Sequence, residues 1–103
     1  MNVIVRKTGG FRKDEVLNKH NIYFSNDDGR YTNLYTCMCC LDVFIRFQDS
    51  IDEPDNGETI ADVHIDLLKH FLKHLRKNSN RYTLNVDHII QFLEKEIKDR
   101  KKQ

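Results

Sequence analysis

The sequence predicts an α+β fold: a small antiparallel sheet of three to four strands, covered on one face by two longer C-terminal helices. Three observations carry this expectation. The first half of the chain holds short β-branched and aromatic runs separated by turn residues, such as the NDDGR of residues 26–30. From residue 59 onward the apolar spacing changes from a period of two to the helical period. Strands therefore come early and helices late, a segregation that suits α+β rather than alternating α/β. At 103 residues the chain is read as one domain, residues 1–103, long enough to bury about two-thirds of its unfolded surface without metal or disulfide staples.

Residues 2–7, NVIVRK, read as a short strand that Thr8, Gly9 and Gly10 end. Residues 11–20 fit either a short helix, with Val16, Leu17 and His20 on one face, or a second strand. NIYFS follows, and the flanks of NDDGR make a hairpin with a loop of three to five residues. The run from Tyr31 to Phe47 is longer than an ordinary strand, so a bulge or bend near Asn33 to Thr36 is expected to divide it. Along its second half Cys37, Cys39, Leu41, Val43, Ile45 and Phe47 alternate onto one face. Thr36, Met38, Cys40, Asp42, Phe44 and Arg46 take the other.

Beyond the acidic loop, Thr59 is the expected N-cap of a helix ending near Lys77. Ile60, Val63, Leu67, Leu68, Phe71, Leu72 and Leu75 fill its apolar arc, and His64 falls in that arc as a partly buried, hydrogen-bonded residue. After NSN, Asn85 or Thr83 caps a second helix with the stripe Val86, Ile89, Ile90, Leu93 and Ile97. The tail KDRKKQ is expected to fray.

The formal net charge is +1, from 17 basic and 16 acidic residues, so no overall field selects nucleic acid or an anionic membrane. No apolar run approaches the ~20 residues of a membrane span. The N-terminus has no long apolar segment, and Arg6 and Lys7 follow its short apolar run instead of preceding it, so no secretory signal is expected. Three cysteines, two of them adjacent, fit a reducing compartment, and a cytoplasmic location is expected.

The cysteines Cys37, Cys39 and Cys40 form C-x-C-C in a β-rich run, with no second pair to complete a tetrahedral zinc site. Core filling is the reading they support. His70 and His74, four apart on the helix, could face one metal, with Asp62 and Asp66 preceding at the same spacing. The H-E-x-x-H glutamate is absent and no third ligand is identified, so no metal or other cofactor is expected. A small metal-dependent enzyme centred on His70 and His74 ranks third among the functional readings. The loop from Asp52 places Gly57 at the sixth position of a calcium loop, but Pro54 and Val63 stand where ligands belong.

Charge segregation is the stronger signal. Asp49, Asp52, Glu53, Asp55, Glu58, Asp62 and Asp66 run without an intervening Lys or Arg; Lys69, Lys73, Arg76, Lys77 and Arg81 follow without an intervening acid. The helix dipole accounts for the helical charges but not for the loop acids. The first reading is therefore a protein-binding inhibitor or immunity-type module, an antitoxin and not an enzyme. Its acidic residues would neutralise a basic protein partner such as a nuclease toxin. The alternative is a nucleic-acid-binding domain using the basic end of helix 59–77 and the C-terminal tail. Against the alternative, the NSNRYT connection is long for a helix-turn-helix, and Asp87, Glu94 and Glu96 bring carboxylates to the second helix. Oligomeric state has no signature in the sequence.

Overall fold

The computed structural model describes residues 2–7, 20–36, 42–51, 57–82 and 85–101. The facing of Cys37, Met38, Cys39, Cys40 and Leu41, the helix-or-strand alternatives for 11–19 and a cap at Thr83 lie outside those residues. The fold is α+β: a four-stranded antiparallel sheet followed by two C-terminal helices. Contacts gather into two compact units, Met1–Val63 and His64–Gln103.

In the first unit β1 (Val3–Lys7), β2 (His20–Ser25), β3 (Tyr31–Thr36) and β4 (Val43–Gln48) lie side by side in chain order. The hairpin between β2 and β3 is the one its turn residues predict. Ser25 pairs with Tyr31, and the five-residue loop closes with Asn26 N–H donating to the Arg30 carbonyl at 2.7 Å. Gly29 takes φ 84°, where a side chain would be strained. Asp28 accepts from the Arg30 backbone at 2.9 Å and from its Nε at 3.0 Å.

Of the two alternatives for residues 11–20, the described end takes the strand: His20 lies in β2, paired with Lys7. One sequence expectation is corrected here. The run from Tyr31 to Phe47 is two antiparallel strands, with Thr36 opposite Val43, and not one bent strand. Thr36 therefore shares a face with Val43 rather than with Phe44. Continuous alternation cannot reveal a reversal, because a hairpin resets which residues face the same way.

The register gives the sheet two distinct faces. Val5, Ile22, Phe24, Leu34 and Val43 are buried on one, together with His20, Thr32 and Thr36. The other carries Arg6, Tyr23, Asn33, Tyr35, Phe44, Arg46 and Gln48. A short 3-10 turn, Ile60–Asp62, packs against β1 and ends at the buried Val63.

The second unit is a helix pair, α1 (Ile65–Asn78) and α2 (Asp87–Lys101), joined through a 3-10 turn at Ser79–Arg81. Leu67, Leu68, Phe71, Leu72 and Leu75 are buried on α1; Ile89, Leu93 and Ile97 on α2. The apolar arc holds as expected from Leu67 onward, but the helix starts later than Ile60. Val63 and His64 are extended, and His64 is the N-cap, its Nδ1 accepting from Asp66 N–H at 3.1 Å. Thr59 instead opens the 3-10 turn. His64 is consequently exposed, not partly buried. Ile60 and Val63 fit the helical arc by spacing, but β-branched residues hold a helix weakly and the side-chain cap at His64 competes.

Asn85 caps α2 as expected, its Oδ1 accepting from Asp87 N–H at 2.9 Å. The tail does not fray as predicted: α2 runs to Lys101, where the part-buried Arg100 donates to Glu96 one turn back at 3.1 Å and Ile97 is buried.

Candidate functional site

Of the acidic residues named by the sequence, the structure describes Asp49, Glu58, Asp62 and Asp66. Asp52, Glu53 and Asp55 lie outside the described residues. Asp49 is exposed just after β4. Glu58 is engaged: its Oε2 lies 3.6 Å from His20 Nε2, and the His20 side chain is 3% exposed. Asp62 accepts from the Thr59 backbone N–H at 2.7 Å and from the Thr59 hydroxyl at 3.2 Å. The Thr59 backbone bond holds its carboxyl below the usual carboxylate range, with His20 adding to the effect. Asp66 sits at the start of α1, 3.8 Å from His64 Nδ1. Glu58, Asp62 and Asp66 thus each make a contact within the chain.

The histidines are dispersed in role. His64 caps α1, His20 is buried in β2, and His70 and His74 are half-buried on α1. Among the described residues no three His, Cys, Asp or Glu side chains converge as metal ligands would.

The basic residues do converge. α1 and α2 pack against each other and leave between them an open groove of about 1040 Å³. Its floor is Leu72 and Ile97. Along one wall stand Lys69, Lys73, Arg76 and Lys77; along the other, Lys98 and Lys101, with Glu94. All six of these cationic side chains are exposed. The spacing explains the convergence: residues three and four apart on each helix line up beside the apolar stripe that packs the pair. Among the described residues Glu94 is the single acid in the lining, and its Oε1 lies 3.3 Å from Arg76 Nη2. Both side chains are about half exposed, so the pair contributes only ~0.2–1 kcal/mol. Among the described residues the five lysines make no ion pair.

Lys69, Lys73, Arg76 and Lys77 are legible in the sequence as the basic end of a helix. Lys98 and Lys101 belong to the C-terminal tail that the nucleic-acid reading also invoked, but they read there as a fraying segment, although their spacing from Glu94 on the edge of the α2 stripe is the available signal for a helical wall. Arg81 lies on the 3-10 turn outside the groove lining. No described helix is long and apolar enough to cross a membrane. Comparison with protein-family models, with curated proteins and with solved structures gives no match to this chain.

Proposed function

We propose that the helix pair is a nucleic-acid-binding element whose groove follows a phosphate backbone. The observation that supports it is the alignment of six cations, on two packed helices, along a single open groove. Phosphates spaced along a strand are the ligand such a double rail of point charges neutralises, and release of their counterions supplies the driving force. Lysine dominates the lining, which suits sequence-independent contact to phosphate rather than bidentate reading of base edges. The inhibitor reading through the acidic segment ranks below this one, because Glu58 and Asp62 are already engaged within the chain.

The test is fluorescence anisotropy with labelled single-stranded and duplex oligonucleotides at several salt concentrations. Each lysine that meets a phosphate should contribute about one unit to the slope of log affinity against log salt. The triple variant Lys69→Glu, Lys73→Glu, Lys98→Glu should bind about ten-fold more weakly or worse and flatten that slope. A wild-type protein that binds neither oligonucleotide at low salt, or a triple variant that binds as the wild type does, refutes the proposal.

A further inference from the structure

The outer face of β3 and β4 holds a second set of groups, and the groove makes no use of them. Tyr35 pairs across the strands with Phe44, and Asn33 with Arg46. The Tyr35 and Phe44 rings stack with centroids 5.8 Å apart and planes at 21°. The Arg46 guanidinium carbon lies 5.6 Å from the Tyr35 ring centroid. Phe44, Tyr35 and Arg46 thus form a continuous patch of π surface closed by a cation. Phe44 is 43% exposed, the one large hydrophobic side chain among the described residues to be so open. β4 is the last strand in the sheet order, so the patch lies at a sheet edge.

We propose that this face is a stacking platform for single-stranded nucleic acid. An unpaired base lies on the open side of Phe44, and Arg46 meets the neighbouring phosphate. A duplex cannot use the platform, because its base faces are already stacked on one another. A free aromatic metabolite would satisfy the ring but not the cation beside it; charge complementarity selects an anion carrying a planar base. The proposal rests on the nucleic-acid reading for its ligand class and adds the form of that ligand.

The experiment compares a labelled single-stranded oligo-dA with a hairpin duplex of the same nucleotide length. Phe44→Ala, a change at an exposed ring, should weaken single-strand binding by about ten-fold, in keeping with the usual worth of one base–aromatic stack. Duplex binding should change by less than a factor of about two, as for a surface substitution remote from the contact. The chain contains no tryptophan, so Phe44→Trp installs a unique fluorophore, and oligo-dA should quench it while retaining wild-type affinity. An unchanged affinity for oligo-dA in Phe44→Ala, or an indole emission in Phe44→Trp that is indifferent to saturating oligo-dA, overturns the platform. The two sites fail separately. Loss of binding in the lysine triple variant with no effect at Phe44 leaves the groove and removes the platform. Loss at Phe44 with an indifferent triple variant does the opposite, and a wild type that binds neither nucleic acid removes both.

Discussion

In the strands, polar residues are buried on both faces: His20, Thr32 and Thr36 beside Val5, Ile22, Phe24 and Leu34, and Arg6 and Asn33 on the opposite one. In the helices the buried set is Leu67, Leu68, Phe71, Leu72, Leu75, Ile89, Leu93 and Ile97, and no described polar residue joins it. The difference follows from geometry. A strand sends alternate residues to opposite faces, and four adjacent strands crowd polar side chains among apolar ones whichever face they take. A helix segregates its apolar residues into a stripe, and its charges are driven to the rim. In the helix pair, stability and charge therefore reside in different residues. In the sheet they overlap, and polar contacts have to be satisfied for the fold to stand.

The comparison is broken most directly by core truncation. Phe71→Ala removes a fully buried ring from α1 and should cost about 3–5 kcal/mol. Thr32→Val on the buried sheet face keeps the volume but deletes the hydroxyl that donates to Asn26 Oδ1 at 3.0 Å, and should cost about 1 kcal/mol. Urea unfolding followed by far-ultraviolet circular dichroism measures both. A larger loss from Thr32→Val than from Phe71→Ala would reverse the proposed division, placing the dominant stabilisation in the polar sheet.

The same division decides what can be foreseen from the sequence. The apolar stripes of both helices from Leu67 onward, the Asn85 cap and the Asn26–Arg30 turn are legible because each is specified within a few residues of itself. The pairing of Thr36 with Val43 is not, because strand register is a property of two segments and the alternation reads equally well as one longer strand. His64 is misplaced for a related reason: spacing assigns it to a helical arc, but a hydrogen bond from Asp66 makes it the residue before the helix. The candidate sites show the same limit. One wall of the groove is visible as a run of lysines and arginine. Its opposite wall, and the Tyr35–Phe44 stack, depend on partners far along the chain.

Acid titration sharpens the comparison on the sheet side. The Asp62 carboxylate is held by Thr59, so its folded value lies below the ordinary 3.8. A depressed carboxyl contributes stability that is present above the unfolded value and lost as pH falls through the folded one. Asp62→Asn should therefore be less stable than wild type at neutral pH, and the gap should close as pH drops below 3.8. Urea midpoints measured across that range test it. A gap that persists unchanged into acid would mean that the amide loses packing or geometry rather than the charge-assisted bond to Thr59.

The smallest effect concerns the one acid among the described residues of the basic groove. Glu94 holds Arg76 at 3.3 Å, but both side chains stand largely in water. Glu94→Gln should lower stability by no more than about 1 kcal/mol, the upper end for an exposed pair. Its effect on binding should run the other way. The substitution removes the only negative charge among the described lining residues and frees the Arg76 guanidinium to meet a phosphate, so affinity for a duplex oligonucleotide should rise about two- to five-fold at low salt, with a steeper salt dependence. A variant that weakens binding while remaining folded would show that Glu94 positions Arg76 for its ligand instead of competing with it. Arg76→Lys would then separate the two roles, since a point charge can replace a released guanidinium but cannot reproduce the geometry of a held one.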